Sequence, residues 1–381
     1  SGREMVVLLM GPPDWATDGL PGRGVPRGLY LPVNHPGNHW ARFVRRVVAE
    51  YQGQIRHWII WNEPDIAPDH PGAQFDGSVQ DYYRLLKVAY LAAKSVDPEV
   101  DIHMAALTFW HDVVYGREPY LRRLLKVASQ DSSALRNNYY FDVFTLHIYF
   151  KTETVHELIA LHQQMIMEAG LNKPLWLNET NAPPMDDPES PWLTPLFPVT
   201  LEQQASFVVQ SVALAFGAGA ERVAVYKLRD ATMPEPGYEP YGLFSYSASP
   251  RPASVAYGEV IRHLSGFRSV NHDATSGYHL VTFENDVGTA FVAWARNNTS
   301  VSLTLFSDTW DTITIYNKYG EPQTIVPDES GFYTLILPPA DCPEMAGCVV
   351  GGDPFFILAQ TTSDTGPLLA GSSIVVADGD S

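Results

Sequence analysis

Basic residues are scarce in this chain. Its 25 Lys and Arg face 43 Asp and Glu, a net charge of -18. That balance argues against nucleic acid or an anionic membrane as the main partner, because neutralising phosphates takes a surplus of cations. Only two cysteines occur, Cys342 and Cys348, too few for a disulfide framework. They either close one small loop in an oxidising compartment or remain two separate thiols, and no metal-ligand spacing accompanies them. No apolar run is long enough to span a membrane, and Ser1-Gly2-Arg3-Glu4 does not read as a signal peptide, although one could have been removed upstream of this numbering. Glycine-rich phosphate loops are missing after every predicted strand, which weakens a nucleotide-binding reading. What is present is a 45% hydrophobic, 12% aromatic chain of 381 residues, enough for one large barrel or two domains with a substantial core.

Up to about residue 266, short apolar runs alternate with amphipathic segments. Strands are predicted at Met5 to Met10, His57 to Asn62, Asp101 to Leu107, Phe141 to Tyr149, Pro174 to Asn178 and Arg222 to Lys227. Helices are predicted at Asn38 to Tyr51, with Trp40, Phe43, Val44, Val47 and Val48 on one face, and near Val79 to Ser95, Pro119 to Ala128, Val155 to Gly170, Leu201 to Ala218 and Ala253 to Leu264. Six strand-helix units in succession mean an α/β fold with a parallel sheet, closed as a (β/α)8 barrel or left open and doubly wound. From Phe267 the texture changes to short alternating runs separated by turn residues, as in an antiparallel β-sandwich. The expected domains are a barrel over 1–266, a sandwich over 267–370 and a flexible tail over 371–381.

Two stretches share one grammar. Trp58-Ile59-Ile60-Trp61-Asn62-Glu63 and Pro174-Leu175-Trp176-Leu177-Asn178-Glu179 each run from an apolar strand through Asn into Glu. Parallel strands all end on one face of the sheet, so two strand-terminal carboxylates can meet at one site. Pro64 should bias Glu63 toward an extended backbone.

Trp61-Asn62-Glu63-Pro64, the later strand ending in Glu179, His147-Ile148-Tyr149 between them and the strand exit Gly11-Pro12-Pro13-Asp14-Trp15-Ala16 resemble the TIM-barrel retaining glycoside hydrolases of clan A. Within that clan the chain looks most like the family of β-xylosidases and α-iduronidases. The resemblance implies Glu63 as acid/base, Glu179 as nucleophile, Asn62 on the sugar 2-hydroxyl, Tyr149 as hydrogen-bond donor to Glu179 and His147 in the same pocket. His147 and Tyr149 could equally be satisfied polar groups of the barrel core. Trp15, Trp110, His111, Trp192, Tyr226 and Tyr241 follow strand ends and are candidates for sugar stacking or for packing. No metal and no cofactor is implied, and the expected partner is a carbohydrate substrate, neither nucleic acid nor membrane.

The pattern departs from the clan in two places. Aligning Glu63 with the fourth strand makes Met5 to Met10 the third, so the first two βα units are missing. The expected explanations are a truncated chain, a homo-oligomer or partner that completes the barrel, or a strand count that is off. At the eighth strand the clan's usual Trp is replaced by Tyr226 and Lys227, and Lys227 could contact an acidic sugar or pair with Asp230. A non-hydrolysing carbohydrate-binding protein on a glycosidase-like fold is the alternative reading. The expected location is extracellular or periplasmic, with the cytoplasm left open.

Overall fold

A computed structural model describes residues 4–189, 196–197, 199–230, 240–286, 288–306, 310–342, 348–361 and 375–376. It divides into two compact units, Ser1–His147 with Leu161–Asn178, and Ile148–Ala160 with Glu179–Ser381. The expected boundary at residue 267 therefore falls inside the second unit.

The first unit is an α/β layer. Strand β1 (Val6–Leu9) is followed by α1 (His39–Glu50), β2 (His57–Ile60), α2 (Val79–Lys94), β3 (Asp101–Met104), α3 (Trp110–Val114), α4 (Tyr120–Ser129) and β4 (Phe144–Ile148). Helix α5 (Glu153–Glu168) then leads into β5 (Leu175–Thr180). Strands β1, β2 and β3 pair in parallel in that order. Parallel bridges His103↔Val143 and Leu107↔Leu146 carry the ladder to β4, and Phe144 N–H donates to Pro174 O at the start of β5. All residues of β2 and β4 are buried, as expected of strands covered on both faces.

Local signals set the helix starts. Asn38 caps α1 by accepting from Ala41 N–H, and Ser78 with Asp81 forms a capping box on α2. Two sequence-based expectations change here. The buried stripe of α1 is Trp40, Ala41, Val44 and Val48, while Phe43 is 47% exposed, because it lies off the side that faces α2 and the sheet. Strand β1 is an edge strand, with Val6 and Leu8 each 40% exposed, and so differs from the fully buried strand its apolar run suggests.

The second unit holds the end of β5, the short β6 (Arg222–Val223), α6 (Leu201–Gly217), α7 (Pro252–Leu264) and an antiparallel region. Strand β6 is much shorter than the predicted Arg222 to Lys227, because the chain leaves the ladder after Val223, although Tyr226 N–H still donates to Thr180 O (3.2 Å). Helix α6 starts at a Thr200/Gln203 capping box and is buried from Gln204 through Ala215.

Beyond α7 come β7 (Ser269–Ala274), β8 (Tyr278–Asn285), β9 (Gly288–Ala295), β10 (Val301–Phe306), β11 (Trp310–Asn317), β12 (Pro322–Ile325), β13 (Phe332–Leu337), β14 (Phe355–Thr361) and β15 (Val375–Val376). Six form a sheet in the order β12-β11-β14-β9-β8-β7, and three form another, β13-β10-β15. Leu280, Phe291, Leu303, Ile315, Tyr333 and Leu337, drawn from both sheets, share one core. Of the expected flexible tail only Val375–Val376 lies within the described residues, paired with Leu305 and Phe306. Cys342 and Cys348 form a disulfide.

Polar groups join these layers. Lys318 Nζ donates to Ser206 Oγ on α6 (3.1 Å) and pairs with Asp353 (2.6 Å). Gln210 accepts from Thr152 Oγ1 and Gly351 N–H, each at 2.9 Å. At the start of α5, Glu153 meets His279 (2.9 Å) and Arg296 (2.7 Å), and His279 Nδ1 meets His272 Nε2 at 2.8 Å. His156 stacks near His272, with ring centroids 4.4 Å apart.

Burial, helped by the His156, His279 and Arg296 charges, pushes His272 down to about 4. Burial alone would raise Glu153, but hydrogen bonds from His279 and Arg296 outweigh it and bring the carboxyl down to about 2. His272 is thus neutral in the folded chain near neutrality, yet titrates at about 6.5 when unfolded. Stability should therefore fall as pH drops from about 6.5 toward 4. The Glu153 contribution, full above about 4.5, is lost below that. Melting curves across this range should show His272→Gln losing less on acidification than the parent, by about 2–4 °C per kcal/mol of relief. Parallel curves for the two proteins would contradict this origin of acid sensitivity.

Candidate functional site

In the first unit the strand β2 ends in a sharp reversal. Trp61 N–H still donates to Leu9 O (2.9 Å), and its buried ring donates from Nε1 to Gln74 O (2.9 Å). Trp61 and Glu63 both have left-handed backbones, φ +73° and +43°. A left-handed conformation costs an ordinary residue roughly 1–2 kcal/mol, so surrounding contacts must hold it. Glu63 N–H is fixed on Ala106 O just past β3 (3.1 Å), and Ile66 N–H closes the turn on Glu63 O (3.2 Å). The extended backbone that Pro64 suggested for Glu63 is therefore not adopted, because this turn overrides the preference.

The Glu63 carboxylate meets His147. Its Oε1 lies 2.6 Å from Nδ1 of that side chain, which β4 presents and which is 1% exposed. Asn62 is half-buried and makes no side-chain hydrogen bond to another described residue. Beneath the turn, Asp65 is wholly enclosed and accepts from Thr108 and Phe109. Burial pushes its carboxyl up to about 6. His111, also buried and held low by desolvation, lies beside His70, with ring centroids 4.7 Å apart. Trp110 opens α3 half-buried, 6.1 Å from the His111 ring. Trp15 sits on the turn after β1, 66% exposed and edge-on to His39 at 5.4 Å.

The second unit builds a group around Glu179, at the end of β5. Tyr149 Oη donates to Glu179 Oε2 at 2.5 Å. Its ring is 5.0 Å from Tyr241 and 6.1 Å from Tyr226, so three tyrosines share this corner. Asn181, fully buried, donates from Nδ2 to Tyr226 O (2.9 Å) and Tyr241 O (2.7 Å), which fixes the two loops that carry those rings. Lys227 faces Asp230 at 3.7 Å, and Asp230 is also held by the buried Arg251 at 2.8 Å. Trp192 lies outside the described residues.

Asp65 and Asn181 were overlooked in the sequence, although each directly extends a motif already singled out, as the fifth residue of Trp61-Asn62-Glu63-Pro64-Asp65 and the residue after Glu179-Thr180. Their signal was position alone. Nothing in a single sequence marks an Asp or Asn as buried beneath a turn.

Among solved structures, the chain is similar to a family 39 glycoside hydrolase from the gut symbiont Bacteroides cellulosilyticus WH2, at 14% identity and a TM-score of 0.65, over 94% of this chain and 68% of that one. It is also similar to the catalytic domain of the GH30 xylanase C from Talaromyces cellulolyticus (14%, TM-score 0.60, 94% and 76% covered). A glucosidase from Croceicoccus marinus matches at 12% identity and a TM-score of 0.57, over 85% of this chain and 74% of that one. The fold is glycosidase-like. No family model and no curated protein matches the chain by sequence.

On this glycosidase-like fold, Asn181 is the link most open to a direct test. Asn181→Ala should remove the two hydrogen bonds to Tyr226 O and Tyr241 O, together about 1–3 kcal/mol. Thermal denaturation should show a melting temperature lowered by about 4 °C or more. Asn181→Asp, which lacks the two N–H donors, should not restore it. An unchanged melting temperature in Asn181→Ala would show that the two loops are held by other contacts.

Proposed function

We propose that the chain is a retaining O-glycoside hydrolase acting on an oligo- or polysaccharide, with Glu63 as acid/base and Glu179 as nucleophile. One observation carries the reading. Each strand-end glutamate is already held by a side chain at the end of β4, Glu63 by His147 and Glu179 by Tyr149, and those two holders are two residues apart in the chain. Holders drawn from one three-residue stretch, His147 to Tyr149, favour both carboxylates serving one sugar. The similarity to glycoside hydrolases of families 39 and 30 supports the same assignment through the fold.

Retention requires carboxyl groups about 5–5.5 Å apart and proceeds in two displacements. In the first, a Glu179 oxygen attacks the anomeric carbon as the bond to the leaving oxygen breaks, and Glu63 delivers its proton to that oxygen. In the second, Glu63 as carboxylate removes a proton from water, the water oxygen attacks the anomeric carbon, and the ester bond to Glu179 breaks. His147 orients Glu63, and Tyr149 donates to Glu179 and keeps it pointed at the sugar. Asn62, with its amide uncommitted to other described residues, takes the 2-hydroxyl, and Tyr226, Trp110 and Trp15 offer stacking surfaces.

Within the clan, the β-xylosidase and α-iduronidase family remains the reading closest to the quoted motifs. A barrel-type catalytic domain over 1–266, a β-sandwich over 267–370 and an extracellular or periplasmic location, consistent with the disulfide, complete the assignment.

A carbohydrate-binding protein without turnover is the second reading, favoured by the exposed edge strand β1 of the sheet β1-β2-β3 among the described residues. The two separate cleanly. Glu179→Ala should lower turnover of an activated aryl glycoside by about 10³-fold or more, with azide restoring part of it as the inverted glycosyl azide. Glu63→Ala should slow substrates with poor leaving groups by about 10²–10⁴-fold. Unchanged rates in both variants would rule out the hydrolase, and calorimetric binding of glycans without any hydrolysis would favour the second reading.

A further inference from the structure

We propose that Asp65 is the positioning residue for Glu63, tying the left-handed turn that carries Glu63 to the segment that leaves β3 and so fixing where the proton is delivered. This rests on Glu63 acting as the acid/base.

Asp65 is 1% exposed. One oxygen, Oδ2, accepts from Thr108 N–H at 2.8 Å, Thr108 Oγ1 at 2.9 Å and Phe109 N–H at 2.9 Å. Its backbone carbonyl accepts from Arg117 Nη2 at 2.7 Å. Phe109 is itself left-handed, φ +61°, at the start of α3. A single side chain thus joins two turns that ordinary residues avoid. Glu63 reaches the same segment through its own N–H on Ala106 O. Two anchors, at Ala106 and at Thr108–Phe109, therefore determine the path of residues 63–65 over β3.

Core stability does not account for an aspartate here. Burying a carboxylate is costly, and Oδ1 is enclosed with no hydrogen-bond partner among the described residues. An apolar residue would fill the space more cheaply, but it would leave the Thr108 and Phe109 N–H groups unmatched and the two turns unlinked. The groups facing the carboxyl are Thr108, Phe109 and Asp112 from the β3 exit and Glu63 from its own loop, with Arg117 on its backbone and Tyr120 of α4 near enough to feel its charge. Desolvation, with small additions from Asp112 and Glu63, raises the carboxyl to about 6 against the pull of Thr108 and Phe109. The tie needs an acceptor oxygen in that place and does not need a negative charge, so an amide can supply it.

The test compares kcat/KM on an alkyl glycoside, which needs a proton on its leaving oxygen, with that on a 2,4-dinitrophenyl glycoside, which does not. Asp65→Ala should lose about 10-fold or more on the first and under about 3-fold on the second, since only the first depends on a well-aimed general acid. Asp65→Asn should stay within about 3-fold of the parent on both. Thr108→Val, a milder change that removes one of the three donors, should shift the alkyl substrate in the same direction and so keeps the test available if Asp65→Ala does not fold. Equal losses on both substrates, or an Asp65→Asn no better than Asp65→Ala, would overturn the inference while leaving the hydrolase intact. A parent protein inactive on both substrates would overturn the glycosidase reading, and the inference with it.

Discussion

A parallel strand covered on both faces has almost nowhere to keep a carboxylate except its end. Trp58, Ile59 and Ile60 of β2, and Leu175, Trp176 and Leu177 of β5, are buried, and the backbone of β2 pairs in parallel with β1 on one side and β3 on the other. Where the ladder stops, the chain must turn, and polar side chains first become affordable. Glu63 follows Ile60 by three residues and Glu179 is the second-last residue of β5. Both glutamates therefore stand at or just past a strand end. The left-handed residues Trp61 and Glu63 are the local cost of ending β2 so abruptly, and the bonds from Leu9, Gln74 and Ala106 offset it.

The holders of the two glutamates obey the same constraint. His147 is inside β4, enclosed, and can be there because a ring nitrogen meets the Glu63 carboxylate. Tyr149 lies just beyond the strand, half-buried, and turns its hydroxyl to Glu179. The second unit relies on a different set of polar groups. Lys318, Gln210 and the Glu153–His279–Arg296 cluster join helices to an antiparallel region through hydrogen bonds that are satisfied within the layer they connect.

Much of this was readable in advance because long apolar periodicities speak for themselves. Strands β1 to β5, the long helices and most of the alternating runs after Phe267 overlap the segments where pattern placed them. The misses have physical causes. Phe43 matches the helical period yet faces outward, since a period names a stripe but not its edge. Strand β7 has the sequence Ser269-Val270-Asn271-His272-Asp273-Ala274, too polar to signal, and is a strand because its whole length pairs with β8. Strand β6 shrank because apolar residues do not by themselves keep a chain in register. In the candidate site, both glutamates were legible from a repeated local grammar. The turn under Glu63 was not, because Glu63 N–H reaching Ala106 and Asp65 reaching Thr108 are contacts across more than forty residues, which no local preference such as that of Pro64 can report.

The central claim is that Glu179 attacks the anomeric carbon. Incubating the protein with a 2-deoxy-2-fluoro glycoside bearing an activated leaving group should trap the covalent intermediate. The fluorine slows both displacements and the activated leaving group restores only the first, so mass spectrometry of the digested protein should then find one added fluorosugar, on the peptide containing Glu179. A label carried by another residue, or none at all from a sugar that the protein demonstrably hydrolyses, would contradict the account.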